Sequence, residues 1–138
     1  MSNTEIVKGM YEAFGRGDIE SILNGLADNV EWRSGPESKT IPTGGTFRGR
    51  AAVAGFFKKV ADTMEFDSFT PERYVEQGDI VVALGSYAGR SKPMNKAFRS
   101  PWAMVFTFRG GKVTLFEEHY DTETVAAAYS SGAQTVGR

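Results

Sequence analysis

From residue 65 to residue 121 the sequence alternates between apolar and polar residues four times over, with a turn signal after each of the first three runs. The runs are EFDSFTPERYVEQ, DIVVALGSYAG, KAFRSPWAMVFTFR and KVTLFEEHYD, and Gly78-Asp79, the basic tip SKPMN and Gly110-Gly111 separate them. A period of two with short Gly, Asn and Asp-rich breaks specifies antiparallel hairpins and leaves little room for another architecture. The first half of the chain has a different period. Ile6, Val7, Met10 and Phe14 recur at helical spacing behind Ser2, Asn3 and Thr4, any of which can cap, and Gly15 and Gly17 stop that helix. Asp18 reads as the N-cap of a short helix carrying Ile19, Ile22, Leu23 and Leu26. NVEWR (29–33) reads as a strand, residues 34–49 as a long loop, and 50–64 as a third helix with Val53, Phe56, Phe57 and Val60 on one face. A last short helix is expected over 122–130. Helices followed by strands imply an α+β fold, with helices packed on one face of a curved antiparallel sheet. With no linker, repeat or low-complexity tract, the whole of 1–138 reads as a single domain.

Sixteen basic and seventeen acidic residues leave a net charge of −1. That balance offers no electrostatic reason for nucleic acid or an anionic membrane as partner. Cysteine is absent and histidine occurs once, so an all-protein metal site is not expected, nor is thiolate chemistry. The charged, amphipathic opening MSNTEIVKGMYEAF resembles neither a signal peptide nor a membrane span, which makes a cytoplasmic protein the expectation.

The chemistry concentrates in LFEEHYDTET (115–124), where the only histidine sits among carboxylates. Alternation divides the fifth strand into an aromatic face of Trp102, Met104, Phe106 and Phe108 and a mixed face of Ala103, Val105, Thr107 and Arg109. A tight Gly110-Gly111 hairpin is expected to join Phe116, Glu118 and Tyr120 to the aromatic face, and a bulge to reverse that. Glu118 then lies in an apolar enclosure, where lost hydration raises a carboxyl pKa and suits it to general acid–base work. Pairing with a buried hydroxyl, without chemistry, is the plainer alternative. Glu117 and His119 point outward, and Asp121 caps the last helix. Trp32, Trp102, Met104, Phe106 and Phe116 form the expected apolar walls, joined by Phe14, Phe56 and Phe57, while Tyr87 and Tyr120 can offer phenolic hydrogen bonds to a carbonyl or enolate. Gly85 and Gly89 either leave space in the pocket or ease strand curvature. The group Arg90, Lys92, Lys96 and Arg99 is either a solvated hairpin tip or a rim that guides anions.

The order of these elements, with YEAFGRGDIESILNGLADNVEW (11–32), FRGRAAVAGFF (47–57), QGDIVVALGSYAGR (77–90) and WAMVFTFRGGKVTLFEEHYDT (102–122), resembles the nuclear transport factor 2-like superfamily. The resemblance is strongest to its SnoaL-like polyketide cyclases and their ketosteroid isomerase and limonene-epoxide hydrolase relatives. It implies a cone-shaped cup with an apolar pocket for a small lipophilic molecule, no cofactor, and a homodimer formed through the sheet. It places the cyclase acid–base carboxylate on Glu118 and the assisting histidine on Met104. The hydrolase's further Arg and Asp fall on Gly85 and Tyr87, and its Tyr and Asn on Trp32 and Ser34. The isomerase base also falls on Ser34, and its oxyanion tyrosine near Met10. Only the carboxylate is retained. The expected function is a cofactor-independent isomerase or cyclase acting on a lipophilic carbonyl compound, the alternative being a non-catalytic ligand-binding or dimeric association module of the same fold.

Overall fold

The computed structural model describes residues 1–131. Its first helix, α1, covers Asn3–Gly15 and opens with a reciprocal cap: the Glu5 amide donates to Ser2 Oγ, and the Ser2 amide donates to the Glu5 carboxylate. Gly17, at φ +74°, turns the chain out of that helix, and the Asp18 amide returns to the Ala13 carbonyl at 2.8 Å. Helix α2 (Ile19–Asn24) is capped by Asp18, which accepts from the Ser21 amide and hydroxyl. It ends two residues before Leu26, a residue read from the sequence as helical. Leu26 instead begins strand β1 (Leu26–Ser34) and is fully buried there.

The loop expected over 34–49 contains a short strand, β2 (Gly45–Arg48), paired antiparallel to β1. Helix α3 (Arg50–Thr63) follows and turns Val53, Phe56 and Phe57 into the core. The four long strands come next: β3 (Met64–Gln77), β4 (Ile80–Ser91), β5 (Lys96–Arg109) and β6 (Lys112–Tyr120). Gly110 and Gly111 both have positive φ, as a two-residue hairpin turn of this hand requires. Helix α4 (Thr122–Ala127) is held by Asp121, which accepts from the Thr124 amide and hydroxyl.

All six strands form one sheet in the order β2-β1-β6-β5-β4-β3. Every pair is antiparallel except β1 with β6, which run parallel with Trp32 opposite Phe116 and Ser34 opposite Glu118. That pairing is long-range in sequence and no hairpin signal announces it. The helices cover one face, α1 against β3 and β4, and α3 against β1, β2 and β3. Between them lie the buried aromatic rings of β5 and β6.

Strand β3 carries an extra residue at Asp67 and another at Glu72, which bend it around β4. Gly85 and Gly89 face these bends. A Cβ on Gly85 would lie 2.3 Å from the Thr70 carbonyl oxygen and 2.5 Å from the Trp102 ring. One on Gly89 would lie 2.2 Å from the Glu65 carbonyl oxygen. These glycines admit the neighbouring backbone, and no pocket space opens above them.

The basic hairpin tip also has structural work. Lys92 Nζ donates to the Ala61 carbonyl in the last turn of α3, Lys96 Nζ donates to the Ser130 carbonyl beyond α4, and Arg90 bonds the Asn95 side chain. Cations at helix C-terminal carbonyls satisfy groups that have no partner within the helix. Among the described residues no helix is long and apolar enough to cross a membrane.

Candidate functional site

Glu118 reaches the interior because of one extra residue. Around Gly110-Gly111 the pairs are Arg109 with Lys112 and Phe108 with Val113, and then Thr107 faces Leu115, so Thr114 is bulged out of the ladder. Beyond it Phe106 faces Phe116, Met104 faces Glu118 and Trp102 faces Tyr120. A tight hairpin without the bulge would set Met104 opposite Glu117 and turn Glu118 to the outer face, since a one-residue slip exchanges the faces. Glu118 therefore occupies the expected face for the opposite reason to the one expected. The bulge puts it inside.

On the outer face, Arg33 holds Glu31 and Glu117 together, at 2.5 and 3.4 Å. His119 is exposed there. The conspicuous cluster in LFEEHYDTET thus separates into an inward carboxylate, an outward ion pair, an exposed imidazole and a helix cap.

Glu118 retains 8% exposure and both its oxygens are engaged. Ser34 Oγ donates to Oε1 at 2.9 Å, and Tyr87 Oη donates to Oε2 at 3.0 Å. Ser34 arrives through the parallel β1–β6 pairing, in which it lies directly opposite Glu118. Loss of hydration raises the Glu118 pKa above its ordinary 4.5, and the two hydroxyl donors oppose that rise without cancelling it. Burial, reinforced by the Glu118 charge and by the hydrogen bond to it, drives the Tyr87 phenol far upward, so Tyr87 remains a donor. The plainer expectation, a carboxyl paired with a buried hydroxyl, describes the resting geometry, and two hydroxyls share the task.

A cavity of about 80 Å³ opens beside this group. Of the pocket side chains named from the sequence, Phe14, Trp32, Phe56, Phe57, Tyr87, Met104, Phe106, Phe116, Glu118 and Tyr120 line it. Trp102 does not. Its ring lies over Gly85, stacked on Tyr11 with centroids 5.6 Å apart and tilted against Phe69 at 5.4 Å. Trp32 stacks on Phe116 at 3.8 Å with planes 18° apart. The indole nitrogens of both tryptophans are buried without a hydrogen-bond partner among the described residues.

Among the lining residues that sequence reasoning missed are Tyr11, Ser34, Thr43, Met64, Phe66 and Phe69. Tyr11 falls beside Met10 on the inward side of α1, and its hydroxyl donates to Met104 Sδ at 3.1 Å, a weak acceptor. Helical periodicity marks its position, and the adjacent apolar Met10 masks it. Thr43 lies in the 35–44 loop, where no local pattern indicates direction. Tyr87, expected to donate to a ligand carbonyl, donates to the carboxylate itself. No group of three or more His, Cys, Asp or Glu side chains is placed to hold a metal ion among the described residues.

The model for the SnoaL-like domain matches residues 7–116. No curated protein matches the chain in sequence. Among solved structures, a nuclear transport factor 2-like protein from Burkholderia xenovorans LB400 is 36% identical, with a TM-score of 0.84 over 93% of this chain and 95% of that one. A second such protein, of unknown function, from Burkholderia pseudomallei K96243, is 28% identical, with a TM-score of 0.86 over 95% and 100%. TerC, co-crystallized with polyporic acid, is 28% identical, with a TM-score of 0.79 over 92% and 97%.

Proposed function

The chain belongs to the SnoaL-like domain family, and on that premise we propose that it is a cofactor-independent acid–base enzyme of isomerase or cyclase type acting on a lipophilic carbonyl compound. The observation that carries the reading is Glu118, a buried carboxylate at an otherwise aromatic cavity, held by two hydroxyls and displaced upward in pKa. Such a group accepts a proton from carbon at near-neutral pH more readily than an ordinary surface carboxylate, because its proton affinity is closer to that task.

In this mechanism Glu118 takes a proton from the carbon next to the carbonyl. The C–H electron pair passes to the carbonyl oxygen as an enolate, and Glu118 returns the proton at another carbon or to an alkoxide formed by ring closure. Tyr11 and Tyr120 are the cavity phenols outside the Glu118 pair, and they supply hydrogen bonds to the developing oxyanion. The aromatic walls exclude water, which strengthens those bonds. TerC's co-crystallization with polyporic acid supports an organic small molecule as occupant of a cup of this kind. The same reading takes the protein as a homodimer through the outer sheet face, where Val82, Leu84, Val105 and Leu115 are only half-buried. A monomer mass by light scattering would dismiss that part.

Exchange of α-hydrogens for deuterium, followed by NMR across a panel of enolisable ketones, works before the natural substrate is identified. Wild-type protein should accelerate exchange for at least one member, and Glu118→Gln should abolish the acceleration while keeping the fold. Undiminished exchange in Glu118→Gln would sink the assignment. The second reading is a non-catalytic binding module. It is favoured by Met104, which faces Glu118 across the ladder and cannot transfer protons. Saturable binding of an unaltered lipophile with no exchange would support it.

A further inference from the structure

The cavity beside Glu118, at about 80 Å³, is smaller than the roughly 150 Å³ that accommodates one benzene molecule in a protein core. It therefore has room for a small head group and none for the body of a lipophilic molecule. A second space of about 350 Å³ lies between the last turn of α1 and β3, bounded by Gly15, Ser68 and Pro71 among others. Tyr11, Phe14, Phe66 and Phe69 line both spaces, so the partition is one layer of rings.

These rings are only partly buried and meet one another at centroid distances of 5.0 to 6.2 Å. The Tyr11 hydroxyl donates to Met104 Sδ, a weak acceptor, and its ring is otherwise held by contacts with neighbouring rings, Trp102 and Phe106 among them. Phe69 belongs to an edge strand and sits between the bulges at Asp67 and Glu72, where the ladder is interrupted on both sides. Ring rotation here breaks no strong hydrogen bond. Joined, the two spaces reach the range of roughly 300–1,000 Å³ usual for small-molecule sites. Glu118, Ser34 and Tyr87 gather at one side of the otherwise apolar inner space, and the outer depression sets Asp67 and Ser68 beside its aromatic rings.

We propose that the two spaces form one site for an elongated, largely aromatic ligand. Its compact head, an acidic hydroxyl or enolisable carbonyl, meets Glu118, and its flat body passes between Tyr11 and Phe69 onto the β3 depression. The proposal rests on the reading of Glu118 as the functional carboxylate. It adds the entrance, the direction of approach and the shape of the ligand.

Phenol and 4-phenylphenol serve as probes: they share a hydroxyl head, the first ring of each is too large for the inner cavity and takes the layer between Tyr11 and Phe69, and only the second ring of 4-phenylphenol reaches the depression. Their affinities for the full chain are measured by isothermal titration calorimetry for the wild type, Gly15→Phe, Ser68→Trp and Glu118→Gln. The first two variants fill the depression from opposite walls. A Cβ on Gly15 meets nothing within 4 Å, and Ser68 is exposed, so both should fold, as circular dichroism will confirm. 4-Phenylphenol should bind the wild type at least tenfold more tightly than phenol. Either filling variant should weaken 4-phenylphenol about tenfold and leave phenol within twofold, while Glu118→Gln weakens both. Failure of 4-phenylphenol to bind the wild type, or its indifference to both filling variants, overturns the joined site. If phenol still responds to Glu118→Gln in that case, the Glu118 reading stands alone. Indifference of both probes to Glu118→Gln overturns the placement of the head and the reading beneath it.

Discussion

Removing the Ser34 hydroxyl tests how the fold tolerates Glu118. Ser34 is 2% exposed and donates to Glu118 Oε1 at 2.9 Å, so Ser34→Ala deletes a buried donor and little volume. A hydrogen bond between neutral groups contributes about 1 kcal/mol net, and one to an ion about 2 kcal/mol. With Glu118 protonated, the substitution should cost about 1 kcal/mol, and with Glu118 ionised about 2 kcal/mol. The difference of about 1 kcal/mol corresponds to about 0.7 of a pKa unit, directed upward. Because burial raises the folded pKa of Glu118 above 4.5, the native state holds this proton more tightly than the unfolded chain does. Its contribution to stability is fully present below the unfolded pKa and is lost as pH rises through the folded pKa. Ser34→Ala raises the folded pKa further, so its cost must grow over that same rise. Urea unfolding followed by tryptophan fluorescence, from acid to mildly alkaline pH, measures both curves. A cost independent of pH, or largest in acid, would refute the idea that Ser34 steadies a buried charge.

Gly85→Ala forces a Cβ to within 2.3 Å of the Thr70 carbonyl oxygen, and overpacking of this kind should destabilise the protein by about 1–3 kcal/mol in denaturant titrations. Asp121→Ala removes the α4 cap and should cost about 1 kcal/mol, seen as reduced hydrogen-exchange protection confined to α4 and its contacts. His119→Ala should leave ketone exchange and ligand affinity unchanged, because the imidazole is exposed on the outer face. A loss of exchange in that variant would move the chemistry away from the cavity.

The order of the elements, the three hairpins and the inward face of β5 were legible in the sequence because each depends on neighbours a few residues apart. Alternation alone separates Trp102, Met104 and Phe106 from Ala103 and Val105, and positive φ at Gly110 and Gly111 is a local demand that glycine meets. The carboxylate's companions were not legible in that way. Ser34 and Glu118 are 84 residues apart, and only the parallel β1–β6 pairing brings them together. Strand β2 is four residues long and exists because β1 offers it an edge. The orientation of Glu118 depends on the single bulge at Thr114, which the residue pattern does not reveal. Trp102, aromatic and inward like Trp32, still does not line the cavity, because β3 bends close to Gly85 and leaves the indole to cover it. Local periodicity determines which side chains face inward, since the backbone repeat is intrinsic to each strand. The cavity's location, and the hydroxyls that hold its carboxylate, were decided by register and curvature, which arise only when strands distant in sequence pair.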